Sequence, residues 1–271
     1  MNVESGTGFD GRHLMMGGSR FIDVVISILK TIGEKEATKI EEAGQIVAES
    51  LWKGGILHIF GTGHSHILAE EAYARAGGLF AVAPILEPCL MLHEGYGKSS
   101  ALERLPGLAK VLLDSHPCDV RPEDVAIIVS NSGRNACPIE MALLFKEKGV
   151  KVIAITSLAH AEAVASRHSS GKKLHDIADV VLDNMGVPGD AALEFKGLPV
   201  KACPTSTVTG VAILWSVIAA AIEKLVERGD TPPIMVSGNL DEAEEMQEAF
   251  RVEIERRYVE RLSWLKSLVQ R

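Results

Sequence analysis

The stretch Val125-Ala126-Ile127-Ile128-Val129-Ser130-Asn131-Ser132-Gly133-Arg134-Asn135 decides how this chain is read. It begins with an unbroken apolar run rich in β-branched residues. Such a run, with no polar alternation, forms a strand buried on both faces. The run stops at serines, asparagines and a glycine, after which a helical pattern continues to Lys148. A buried strand that opens through a hydroxyl-rich turn into a helix is the repeating unit of a parallel α/β sheet. The turn lies at the strand's carboxyl end, where such sheets bind ligands.

The same unit recurs on both sides. Upstream, Ile56-Leu57-His58-Ile59-Phe60 reads as a buried strand, then Gly61-Thr62-Gly63-His64-Ser65 as a turn, then a helix through residues 69–76. A short strand is expected over residues 79–84. Residues 87–122 lack strand character and carry a helical piece near residues 101–115; so long a connection in a compact domain is usually functional or partly helical. Downstream, residues 150–155 form a strand ending at Thr156-Ser157, with a helix from about His160, and residues 180–182 a fifth strand.

The flanks are helical. Phe21, Val25, Ile28, Ile32, Ile40, Val47 and Leu51 recur at helical spacing and predict one long helix, closed by Lys53-Gly54-Gly55. Residues 208–226 form a strongly apolar helix that nevertheless carries Ser216, Glu223 and Lys224, and is expected inside the protein rather than in a bilayer. After Asn239, a stripe of Ala243, Met246, Phe250, Ile254, Tyr258, Leu262 and Leu265 predicts a last helix. Its first turns hold Asp241, Glu242, Glu244 and Glu245, where the helix dipole favours negative charge. The expected organisation is a flexible, glycine-rich segment over residues 1–19, a sheet domain over 20–228 and a helical extension over 229–271.

The formal net charge of −8 excludes a bulk basic surface, so neither nucleic acid nor anionic membrane is an expected partner. Only about one long helix fits into residues 20–53, too little for a three-helix DNA reader. Cys89, Cys118, Cys137 and Cys203 form no C-x-x-C pair and no zinc-type spacing. Dispersed cysteines suit a reducing compartment, and the first residues lack the apolar run of a signal peptide, so a cytoplasmic location is expected.

Three turns at strand ends carry candidate chemistry. Gly61, Thr62, Gly63, Ser65 and His66 form the first. It is not a dinucleotide fingerprint: His66 stands where the third glycine of G-x-G-x-x-G belongs, and the following strand runs into Ala83-Pro84 with no acidic residue. Ser130, Asn131, Ser132, Gly133, Arg134 and Asn135 form the second. Their amides and the helix dipole converge on one spot, suited equally to N-capping by Ser132 or Asn135 and to an anion. Thr205, Ser206 and Thr207 form the third, with more hydroxyls than one cap requires.

Taken together, these motifs resemble those of the SIS (sugar isomerase) domain family. Its pattern G-x-G-x-S after the first strand matches Gly61, Gly63 and Ser65. Its pattern S-x-S-G-x-[ST] matches Ser130, Ser132 and Gly133, with Asn135 in the final hydroxyl position. The hydroxyl-rich turn before the last long helix matches residues 205–207. Within the family the chain is most similar to the UPF0309-like phosphosugar-binding group, with phosphoheptose isomerases and N-acetylmuramic acid 6-phosphate etherases as more distant kin. The resemblance implies a flavodoxin-like three-layer αβα sandwich with a five-stranded parallel sheet, a phosphosugar ligand, no cofactor, and a homodimer or higher homo-oligomer with sites near the subunit interface.

Isomerising a sugar phosphate requires a base beside the carbonyl and groups that stabilise an enediolate. Glu94 is the expected base, with His93 or Glu87 assisting, because the resemblance places catalytic His or Glu residues in this segment. His64 and His66 stand at the mouth of the first turn and could hold a ring hydroxyl; two histidines alone do not make a zinc site, so no metal is expected. Glu70, Glu71, Lys196 and Lys201 are weaker candidates. Arg134 could pair with phosphate. The expected activity is aldose–ketose isomerisation or a related lyase reaction. The alternative is a non-catalytic phosphosugar sensor, and exposure of His93 and Glu94 would favour it.

Overall fold

A computed structural model describes residues 17–262. Five strands form one parallel sheet: β1 (Leu57–Gly61), β2 (Val82–Ile85), β3 (Val125–Val129), β4 (Lys151–Thr156) and β5 (Val180–Asp183), in the order β2-β1-β3-β4-β5. The helices are α1 (Gly17–Lys35), α2 (Ala37–Trp52), α3 (Ile67–Ala72), α4 (Tyr96–Leu102), α5 (Leu108–Asp114), α6 (Ala136–Glu147), α7 (Leu158–Glu162), α8 (Ser206–Glu227) and α9 (Ala243–Arg257). This is the expected α/β sandwich. The chain runs from β1 outward to β2, then crosses back past β1 to β3 and on to β4 and β5, so the topological switch point lies between β1 and β3.

The pleat sends alternate residues to two cores. Ile59, Val125, Ile127, Val129, Ile153 and Ile155 pack under α2, α3, α8 and α9. Phe60, Ala126, Ile128, Val152 and Ala154 pack under α5 and α6. Both faces are covered, which is why the strand sequences do not alternate. By length and composition α8 could cross a membrane. Instead it buries Ile213, Leu214, Val217, Ile218 and Leu225 in the first core. At Gly44 of α2 the two helices approach so closely that a Cβ would stand 2.6 Å from Ala220 Cβ.

Several boundaries depart from expectation. The single helix predicted over residues 21–51 is two, broken at Glu36. Glu36 is 4% exposed, and its carboxylate accepts from the Asp183 amide at 3.2 Å and from Lys39 at 3.2 Å. The helix after the first turn ends at Ala72, and Ala74 has φ +49°. The second strand begins at Val82 because residues 77–80 bond elsewhere: the Gly77 amide to Met235 O (2.8 Å) and the Phe80 amide to Pro233 O (3.0 Å). The helical piece near residues 101–115 divides into α4 and α5 around Gly107. Gly17–Ser19 open α1 rather than belonging to a flexible arm. The rest of that segment, and Leu265 of the last stripe, lie outside the described residues.

The C-terminal extension is packed into the domain. Ile254, Tyr258 and Leu262 join the first core, whereas Met246 is exposed. Arg261 grips Asp124, just before β3, through two bonds of 2.7 and 2.6 Å. Asp124 also accepts from the Ile56 amide (2.9 Å) and the Arg121 amide (2.8 Å), and His58 Nε2 lies 3.1 Å away. Burial alone would push this carboxyl up. The hydrogen bonds from Arg261, His58 and Arg121 outweigh burial and hold it well below the usual carboxylate range.

Candidate functional site at the carboxyl edge of the sheet

The first turn is fixed by its glycines. A Cβ at Gly61 would stand 2.5 Å from the Ser65 backbone, and Gly63 has φ +56°. The Ser65 amide bonds Thr62 O at 3.0 Å, closing a short 3₁₀ turn over Gly63–His66. The Thr62 hydroxyl donates to Glu103 Oε2 at 2.8 Å. His66 is folded back: Nδ1 bonds Gly63 O, and Nε2 lies 3.6 Å from Glu70 Oε1. It is therefore spoken for within its own turn, while His64 is exposed at the surface beside Ser65.

The second turn leaves donors free. Ser130 Oγ accepts from the Gly133 amide at 3.2 Å, and Gly133 has φ +60°. Asn131 O accepts from the Ser157 amide (3.0 Å), and Asn131 Oδ1 from Asn184 (2.9 Å). Asn135 is the N-cap residue of α6 but caps nothing with its side chain; its Oδ1 accepts from Arg167 Nη1 at 2.9 Å instead. Among the described residues, the Ser132 hydroxyl and the amides of Ser132, Arg134 and Asn135 have no partner. The Arg134 guanidinium has none either, and its Nε is buried.

Positive charge collects here. Arg167 is lowered from the ordinary guanidinium value, by burial and then by the neighbouring charges of Arg134 and Arg104, with Glu103 acting the other way. Arginines that repel one another beside unpaired amides at a helix N-terminus suit an anion.

The third turn is committed differently. Asp190 Oδ1 accepts from the amides of Thr205 (3.1 Å) and Ser206 (3.0 Å), and Asp190 Oδ2 from the Ser206 hydroxyl. The chain's own carboxylate thus occupies the N-terminus of α8. Thr205 Oγ1 is buried and unpartnered. Thr207 is half-buried, and with Ser206, His64, Ser65, Asn131 and Asn184 it lines one crevice. That crevice joins all three turns but holds only about 10 Å³, room for roughly one water. A wider groove of about 470 Å³ lies at the opposite, amino edge beside Trp52 and Arg256, away from the three turns.

Of the acid–base candidates, Glu87 is half-buried just past β2, and burial pushes its carboxyl above the usual range. Among the described residues it has no hydrogen-bond or ion-pair partner. It lies near the head of α6: the Cys137 thiol there is pushed up to about 12, by burial and then by the negative charges of Glu140, Glu103 and Glu87. His93 and Glu94 are exposed, and Glu94 bonds Lys98 at 2.7 Å. That bond, followed by the lysine's charge, holds Glu94 below the usual range. Glu71 binds Trp215 Nε1 at 3.1 Å and Lys201 lies 3.0 Å from Glu194, so both serve local structure.

Glu103, Arg167 and Asp190 enter the site without a sequence signal of their own. Glu103 reaches Thr62 across 41 residues and Arg167 reaches Asn135 across 32. Asp190 follows Pro188-Gly189, a turn signal that marks a bend but not a cap.

The SIS domain family model matches residues 20–157. The UPF0309 protein lin2794 of Listeria innocua is 48% identical over 231 residues, covering 85% of this chain and 93% of that protein. The UPF0309 protein GK1441 of Geobacillus kaustophilus is 48% identical over 217 residues, covering 80% and 86%. Phosphoheptose isomerase GmhA from Neisseria gonorrhoeae superimposes with a TM-score of 0.51 at 17% identity, over 76% of this chain and 97% of that one; at that identity the likeness shows the fold. The motifs, the sheet order and these relatives agree, and the chain belongs to the SIS-domain family, among its UPF0309 members.

Proposed function

We propose that this protein binds a phosphorylated sugar at the carboxyl edge of the sheet and isomerises it between aldose and ketose forms, or carries out a related lyase reaction. The observation that carries the reading is the second turn. A free Ser132 hydroxyl, free amides and the unpartnered Arg134 guanidinium surround the head of α6. Phosphate satisfies all of them at once, with charge-assisted hydrogen bonds. Ser130, Asn131, Gly133 and Asn135 shape the cradle; Gly61, Thr62, Gly63 and Ser65 form its neighbouring wall.

In this reading Glu87 is the base. It is uncommitted, half-buried and close to the head of α6, and burial raises its carboxyl above the ordinary glutamate value, which makes it a stronger base once ionised. His64 is placed to polarise a sugar oxygen. His93 and Glu94 assist only where a second subunit covers them, and a homodimer forms part of the proposal. Ile22 and Ile26, one turn apart on α1 and 56% and 45% exposed, support such an interface.

The exposure of His93 and the Lys98-bound state of Glu94 favour a second reading, a phosphosugar sensor without turnover. One experiment addresses both. Melting temperature is measured against a panel of sugar phosphates and their unphosphorylated counterparts, and any stabilising ligand is then incubated with the enzyme and its products assayed. A ligand selective for the native state raises the melting temperature by linkage. Stabilisation with product formation supports the enzyme, and stabilisation without it supports the sensor. No stabilisation by any phosphorylated sugar sinks the phosphosugar reading.

A further inference from the structure

At the opposite edge of the sheet, three side chains with ligand atoms meet in the core. His58, the second residue of β1, is fully buried and faces α6, its ring 5.4 Å from that of Phe145. Its Nε2 lies 3.1 Å from Asp124 Oδ2. A carboxylate there accepts the ring proton, which fixes the tautomer and leaves a lone pair on Nδ1. That Nδ1 is buried and has no partner. Facing it edge-on at 5.7 Å is His116, whose Nε2 is also buried and unpartnered. The third group is Cys118, 1% exposed. The ligand atoms of the three residues all lie within 4.8 Å of one another.

Two orphaned ring nitrogens in one place are costly to bury. A metal ion would satisfy both and take the thiol as well. We propose that His58, His116 and Cys118 form a binding site for one borderline transition-metal ion, zinc by preference, at the amino edge of the sheet. Two imidazoles and a thiolate exclude magnesium and calcium, which require oxygen ligands. Ligand atoms on tetrahedral zinc stand about 3.3–3.8 Å apart, so the cluster draws in by about 1 Å on binding. His116 is only partly buried, which gives the ion a path in and leaves the fourth position to water. Binding converts the Cys118 thiol to thiolate and releases its proton to solvent. Asp124, fixed by Arg261, is the carboxylate that orients His58 from outside. The role is a clasp: it ties residues 116–118 to the start of β1. It is independent of the sugar site, at the other edge of the sheet.

The test uses the full chain, stripped with a chelator and titrated with cobalt(II). The expected result is a thiolate-to-cobalt charge-transfer band that saturates at one equivalent and is bleached by zinc. Zinc should also raise the melting temperature. Cys118→Ser should abolish the band and the zinc-dependent stabilisation, and His116→Gln should weaken zinc binding at least tenfold. Absence of a charge-transfer band in the unaltered protein overturns the proposal, as does a band that survives in Cys118→Ser, which would place the metal on another cysteine. The unaltered protein alone decides the first point, so a variant that fails to fold does not rescue the idea.

Discussion

Among the described residues the Arg134 guanidinium has no partner, and it is half-buried beside amides that have none either. Truncating it to alanine removes charge-assisted hydrogen bonds to phosphate, worth about 1.5–3 kcal/mol. Arg134→Ala should therefore weaken a stabilising sugar phosphate about 10- to 100-fold in calorimetric titration, with its circular dichroism unchanged. Glu87 makes a separate prediction. Burial raises its carboxyl, so it stays protonated past the ordinary glutamate value and becomes a base only as pH rises through the raised one. The acid limb of kcat/KM should lie above that ordinary value. Glu87→Gln should remove the limb and lower kcat about 10²- to 10⁴-fold while ligand binding persists. An unchanged kcat would end its candidacy. The glycines and hydroxyls of the three turns were legible in the sequence because local backbone geometry demands them. Glu103 and Arg167 were not, because tertiary folding alone carries them to Thr62 and Asn135.

The strands were the most legible elements. β3 matches its apolar run, since a strand buried on both faces has nowhere to put a polar residue. Helix limits were less so. The stripe over residues 21–51 runs on through Glu36, because periodicity records which face is apolar and not whether a buried carboxylate must reach a strand amide. The same limit hid the role of Asp190, which neutralises the N-terminus of α8 from a loop at φ +53°. Asp190→Ala frees two amides and a hydroxyl. It should cost about 1–2 kcal/mol, read as a lower urea midpoint at unchanged slope. A midpoint equal to that of the parent would show that water caps this helix equally well.

The C-terminal helix and the sheet form one unit, joined by Arg261 and Asp124. Both are buried, at 7% and 2% exposure. Breaking such a pair from one side strands a charge in the core and costs about 3–5 kcal/mol. Arg261→Met should lower the melting temperature accordingly. Adding Asp124→Asn should recover part of the loss, because the stranded charge goes with it; strictly additive losses would show that the pair is not coupled. No pattern along the chain announces this joint, since its halves lie 137 residues apart.

That separation also has a meaning in time. A ribosome adding about 5–20 residues per second needs roughly 7–27 seconds to travel from Asp124 to Arg261. Throughout that interval the nascent chain holds a carboxylate whose cation does not yet exist, and a sheet face still missing Ile254, Tyr258 and Leu262. The domain can close only after Arg261 has been made. A message cut short before codon 261 therefore yields a chain that has all five strands but none of this closure, and is a natural client for chaperones and proteases.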